Sequence, residues 1–89
     1  MKDIEISLFD AGIPEYMHGG IVRYITDHNP PGDFLRAIIT NNLKESFRCA
    51  DETNQVIIHK YIHWFYQYAP SNCWGSEENY KRWLRKDPF

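Results

Sequence analysis

The chain has 89 residues, of which 43% are hydrophobic, 16% aromatic and 25% charged, and its net charge is −2 with histidine neutral. That composition predicts one globular domain with a small core and excludes a disordered chain. The charge argues against a general nucleic-acid binder, which needs a basic surface to neutralise phosphates, and no run approaches the roughly 20 apolar residues of a membrane span.

Residues 1–13 contain a short alternation of Ile4, Ile6 and Phe9. It predicts an extended N-terminal arm that packs on the body or on another subunit, since a lone strand needs a partner. The rest, residues 14–89, is expected to be a single helical domain. No apolar stretch near the start resembles a signal peptide. With Cys49 and Cys73 as the only cysteines, reduced thiols in a cytosolic setting are expected.

Pro14 suits the first turn of a helix, where its missing N–H is no loss. Met17, Ile21, Tyr24 and Ile25 then recur at helical spacing. Gly19-Gly20 interrupts this helix at a cost of roughly 1 kcal/mol per glycine relative to alanine. The pair reads either as room for another backbone or a ligand, or as a late start or kink.

Asn29-Pro30-Pro31-Gly32 is the strongest breaker in the chain, and Asp33 can cap the next helix. This second helix ends near Cys49, with Phe34, Leu35, Ile38, Ile39, Asn42, Leu43, Ser46 and Phe47 as its inward stripe. Asp51 is a cap or kink before a third helix over roughly residues 52–68. That helix carries Val56, Ile57, Ile58, Tyr61, Ile62, Trp64, Phe65 and Tyr68. Apolar side chains on more than one face predict the central helix, with Ile57, Tyr61, Trp64 and Phe65 in the core. Pro70 stops it. Ser76 is a good N-cap for a short last helix, and Glu77 and Glu78 complement its dipole. Tyr80, Trp83 and Leu84 form its apolar edge, and Lys81, Arg82, Arg85 and Lys86 its polar side. The expected fold is therefore all-α: three main helices, a short C-terminal helix and the extended arm.

Motifs for chemistry are sparse. His59 and His63 share a helix face, but the cysteine spacing is wrong for a zinc finger and no Glu follows the first His. No metal and no cofactor are expected. Glu45, Asp51 and Glu52 read as a solvated face and a cap rather than an acid–base pair. Cys73 beside Trp74 has no evident base. No residue set meets the roles of an active site, so the chain is not expected to be an enzyme.

The most suggestive polar set is Arg23, Arg36, Arg48, Asn41, Asn42 and Asn54. Arginine forks phosphate, asparagine reads base edges, and tyrosine or tryptophan stacks on a ring. The same residues also suit capping and inter-helix hydrogen bonding. As a ligand site the set would be completed by His18, Gly19, Gly20 and Tyr24, with Trp74 as a wall. The aromatic excess also predicts homo-oligomerisation, since a small chain can bury more of it against a copy of itself.

Across roughly residues 13–84 the chain resembles a group of small accessory proteins of tailed phages and prophages. The resemblance rests on Met17-His18-Gly19-Gly20-Ile21 with Arg23-Tyr24-Ile25, Pro31-Gly32 with Phe34-Leu35, and Asn41-Asn42-Leu43. It continues in Arg48-Cys49-Ala50-Asp51 with Asn54, Tyr66-Gln67-Tyr68-Ala69-Pro70 and Cys73-Trp74-Gly75-Ser76. The chain departs from that pattern at Asn42 (Asp expected), Cys49 (Ala) and Gln67 (Asn), which puts in doubt any role needing a carboxylate at position 42. The resemblance implies a binding protein acting in the host bacterial cytoplasm. It would sequester an anionic nucleotide-like immune signal or, alternatively, block a host defence or metabolic protein through an aromatic patch.

Overall fold

The structure is a computed structural model and describes residues 2–86; the first residue of the expected arm and the last three of the expected domain lie outside the described residues. The described residues are all-helical, without strands. Seven α-helices follow one another as α1 (Lys2–Asp10), α2 (Glu15–Asp27), α3 (Asp33–Ile39), α4 (Leu43–Cys49), α5 (Glu52–Val56), α6 (Ile58–Tyr68) and α7 (Glu77–Arg85). A 3-10 turn, Ser71–Cys73, precedes α7.

The expected N-terminal arm is a helix. Ile4 and Leu8 stand four apart and are both buried, whereas Ile6 and Phe9 are exposed. The burying period is thus near 3.6 rather than 2, and α1 packs on α2 and α6. Ser7 closes the joint: its Oγ accepts from Trp64 Nε1 at 2.8 Å and donates to the Ile4 carbonyl at 2.7 Å.

Helix α2 runs unbroken through Gly19-Gly20, against the alternative of a late start. Pro14 sits one residue before it, and Ile21, Tyr24 and Ile25 face the core. A left-handed His28 ends it at φ 59°, where the Asn29 N–H donates to the Arg23 carbonyl at 3.3 Å.

The second expected helix is two. Asn41 takes a left-handed conformation at φ 64°, which asparagine tolerates better than most residues. Asn42 then caps α4, its Oδ1 accepting from the Glu45 N–H at 3.2 Å. Beyond Ile39 the inward stripe therefore holds only at Ser46 and fails at Asn42, Leu43 and Phe47. Phe34, Leu35, Ile38 and Ile39 are buried, but on α4 Ser46 is buried and Leu43 and Phe47 face outward. Gly32, not Asp33, occupies the cap position of α3.

The third expected helix also divides, at Ile57, whose φ of −112° and ψ of 19° leave the helical range. Val56, Ile57 and Ile58 are β-branched in succession, and each loses side-chain freedom in a helix. Asp51 caps α5 as expected, accepting from the Asn54 N–H at 2.7 Å. Tyr61, Trp64 and Phe65 of α6 are buried, Ile57 is half-buried, and Val56, Ile62 and Tyr68 are exposed. Ser76 caps α7, accepting from the Asn79 N–H at 3.1 Å. Just before it, Gly75 at φ 101° donates its N–H to the Ile39 carbonyl at 2.7 Å, tying this loop to the end of α3.

The core is one cluster, with Leu8, Ile21, Tyr24, Ile39, Tyr61, Trp64, Phe65 and Cys73 almost fully enclosed. No helix among the described residues is long and apolar enough to cross a membrane.

Candidate functional site

Two concave regions are candidates for a site among the described residues. The first is a polar cleft of about 250 Å³ between α3, α4 and the start of α7. Helix spacing builds it. Asp33, Arg36 and Thr40 recur on one face of α3; Glu45, Arg48 and Cys49 do so on α4. Asn42 lies at the turn between them, and Glu77 reaches in from α7. The lining therefore holds two guanidinium groups and three carboxylates.

Arg48 is tied to Glu45 within this cleft. Its Nε donates to both carboxylate oxygens at 2.9 and 3.0 Å, and its Nη2 to Oε1 at 2.7 Å. These hydrogen bonds hold the Glu45 carboxyl below its ordinary range. Both partners are solvent-exposed, so the pair contributes little to stability and can rearrange. Cys49 Sγ lies 3.5 Å from Arg48 Nη2 and 3.6 Å from Glu45 Oε1. Arg36 makes no ion pair among the described residues.

The second region is an apolar groove of about 380 Å³, where α1, α2, α6 and α7 meet. Ile4 and Ser7, Ile25, Trp64 and Tyr68, and Trp83 line it, with Pro70 at one end. The Trp64 and Tyr68 rings lie 6.2 Å apart and 30° from parallel. Trp83 is fixed from behind, its Nε1 donating to the Tyr24 carbonyl at 2.7 Å and its ring against His28 at 4.5 Å.

The sequence-predicted ligand residues do not meet in one place. Asn42 and Arg48 line the polar cleft together. Asn41 is exposed at the left-handed turn beside it. His18 is buried near the start of α2, where its Nε2–H donates to the Ile13 carbonyl at 2.7 Å. Its ring edge borders a shallow depression with Glu5, Ile6, Phe9 and Glu15. Tyr24 is fully enclosed; its hydroxyl donates to the Cys73 carbonyl at 2.6 Å and its ring stacks on Tyr80 at 5.9 Å. Asn54 is buried and accepts from the Tyr61 hydroxyl at 2.5 Å. Trp74 is half-buried against Phe65 at 5.4 Å, and its carbonyl accepts from Asn79 Nδ2 at 2.9 Å.

Close packing does not require either glycine of the pair. A Cβ at Gly19 would lie 3.0 Å from Arg23 Nη1, the movable end of an exposed side chain one turn on. A Cβ at Gly20 would meet Leu35 of α3 at 3.4 Å, ordinary contact.

The other candidate constellations also separate. Asp51 accepts from the Tyr16 hydroxyl at 2.7 Å, which holds its carboxyl low, while Glu45 is engaged by Arg48. His59 and His63 are exposed. Among the described residues no group of three or more His, Cys, Asp or Glu side chains is placed to hold a metal ion. Both thiols are free, and burial pushes that of Cys73 up to about 12, which makes it a poor nucleophile.

Sequence reasoning set Arg36 in the polar group but passed over Thr40 and Glu77. Thr40 was legible as the next position on the Asp33–Arg36 face. Glu77 was not, because only the docking of α7 on α3 brings it there. Compared with known proteins, the chain matches no family model, no curated protein and no solved structure.

Proposed function

We propose that this chain is a small phage accessory protein that works by binding rather than catalysis. It captures an anionic nucleotide-like signal in the host bacterial cytoplasm, and the polar cleft between α3 and α4 is its site. The observation that carries the reading is the pairing of Arg36 and Arg48 with Asn42, Thr40 and carboxylates in one cleft. Guanidinium groups fork phosphate oxygens. Carboxylates and asparagine accept and donate along base edges. A lining of both signs thus suits a ligand that is anionic at one end and rich in N–H donors at the other, as a nucleotide is. The phage resemblance supplies the setting, as an analogy of context.

Of the residues expected at the site, this reading keeps Asn42 and Arg48 in contact with the ligand, takes Arg36 from the same polar set and adds Thr40, while Arg23 and Asn41 lie outside the lining. His18, Gly19, Gly20, Tyr24, Asn54 and Trp74 then shape the scaffold. Calorimetry with cyclic and linear nucleotides tests it. At least one should give saturable heat that Arg48→Ala and Arg36→Ala each reduce; absence of heat across the panel overturns the reading.

A second reading is favoured by the exposed aromatics. Phe9, Tyr66 and Tyr68 are each more than half exposed, and such residues anchor protein interfaces. In that case the chain blocks a host defence or metabolic protein, and a pull-down from host lysate yields one stoichiometric partner. Self-association belongs to either reading. Leu43, Phe47 and Val56 are exposed, and Gln55 Nε2 donates to the Phe47 carbonyl at 3.2 Å, so α5 lies beside the end of α4. A homo-oligomer that covers this face would lose mass in sedimentation on Phe47→Ser substitution.

A further inference from the structure

One of the two arginines of the polar cleft is already occupied. Glu45 and Arg48 stand three apart on α4, a spacing that puts them on one helix face. Arg48 turns one edge of its guanidinium to the Glu45 carboxylate: Nε lies 2.9 and 3.0 Å from the two oxygens, and Nη2 lies 2.7 Å from Oε1. That edge is the fork with which arginine grips two oxygens of a phosphate. A carboxylate thus stands where a phosphate would bind.

We propose that Glu45 is an internal competitor for the anion, a latch that an incoming phosphate displaces from Arg48. The inference rests on the reading of this cleft as an anion site. The Glu45 side chain is 42% exposed, so it has an open path to water. Among the described residues its carboxylate bonds only to Arg48 and the Cys49 thiol, so its departure undoes contacts within α4 and none between helices. The Asn42 cap uses the Glu45 backbone N–H, not the carboxylate, so the side chain swings away without uncapping the helix. The Arg48 hydrogen bonds hold the carboxyl below its ordinary range, which keeps the occupant anionic at neutral pH.

Arg36 lines the same cleft and makes no ion pair among the described residues. It is the open contact that an arriving anion meets while Arg48 is latched. A site that is competent only part of the time binds with its affinity reduced by that fraction. Every ligand that takes Arg48 bears the same reduction. The latch therefore keeps weakly held anions off Arg48 and yields to one that also engages Arg36.

Inorganic pyrophosphate is a suitable probe, because it carries the anionic end of a nucleotide without the base. In calorimetry on the full chain, Glu45→Gln should tighten pyrophosphate binding roughly two- to fivefold, the scale of one exposed ion pair. Glutamine keeps the side-chain shape and the backbone N–H that Asn42 caps. The substitution also removes a negative charge, which by itself draws anions. The Arg48→Ala background separates the two effects: there Glu45→Gln should gain nothing. An equal gain in that background overturns the latch. So does unchanged or weaker binding in Glu45→Gln alone, since Glu45 would then merely orient Arg48. Absence of heat from pyrophosphate with both the wild type and Glu45→Gln overturns it as well. Nucleotide heat without a gain from Glu45→Gln removes the latch and leaves the nucleotide site standing. A pyrophosphate gain without nucleotide heat does the reverse.

Discussion

Tyr24 and Tyr61 carry hydroxyls into the interior, and each finds one specific acceptor: the Cys73 carbonyl for Tyr24 and the Asn54 side chain for Tyr61. Burial raises the pKa of both phenols, so each acts as a neutral donor. Removing only the acceptor leaves a buried hydroxyl unpaired, at a cost of about 1–3 kcal/mol. Asn54→Ala should lower the unfolding free energy measured in urea by that amount. The double variant Asn54→Ala/Tyr61→Phe should cost less than the single one, because no orphaned hydroxyl remains. Cys73 gives a second prediction. Its thiol is neutral in the fold up to about pH 12, against 9.0 without the fold. The unfolded chain thus binds fewer protons in that window, and stability falls as pH rises. This contribution is fully present below about pH 9 and is lost toward pH 12; Tyr24 and Tyr61 act with the same sign. Urea midpoints between about pH 8 and 10.5 should decline, and Cys73→Ala should flatten the decline. At neutral pH a thiol reagent should label Cys49 in the native protein and Cys73 only after unfolding.

At the scale of elements, caps and turns decide where helices end, and the chain shows how local signals compete with periodicity. Ser76 and Asp51 were legible as caps because each precedes a helical pattern, and both accept the third N–H as expected. Asn41-Asn42 carried an equally strong local signal, but it lay inside an apolar stripe that continued in phase. The stripe alone predicts one helix across residues 34–47; the left-handed Asn41 and the cap at Asn42 make two. Asn42→Ala should therefore cost about 1 kcal/mol of stability, read by thermal unfolding. The glycine pair invites the opposite experiment. Gly20 is helical with ordinary space for a Cβ beside Leu35. Gly20→Ala should raise stability by about 0.5–1 kcal/mol. A loss instead would mean that the α2–α3 approach is tighter than the contact with Leu35 implies.

At the scale of the whole molecule, α1 is part of the core rather than an appendage. Leu8 is completely enclosed, and Ser7 accepts from the indole of Trp64. The radius of gyration of 12.0 Å matches the roughly 12 Å expected of a compact chain this long. Leu8→Ala should cost about 2–5 kcal/mol. In the wild type, helix content and tryptophan fluorescence should be lost in one coincident transition. An early loss of helix signal at unchanged fluorescence would show α1 detaching first.

The amino-acid sequence by itself determined the helical class, the breakers at Pro30-Pro31 and Pro70, the cap of the last helix, and the burial of Tyr61, Trp64 and Phe65. Those features rest on local propensity and on the side-chain period within one element, which the chain carries wherever it folds. It could not settle α1, because Ile4 and Ile6 are compatible with a strand until Ile4 and Leu8 find α2 and α6. Nor could it separate polar residues at a cleft from polar residues at work in the scaffold. Asn42 and Asn54 look alike in sequence, yet one borders open space and the other is enclosed against Tyr61. Only tertiary structure decided that, because a site is defined by which faces meet. Glu77 reaches the polar cleft, and Trp83 the apolar groove, only when α7 docks against the rest of the fold.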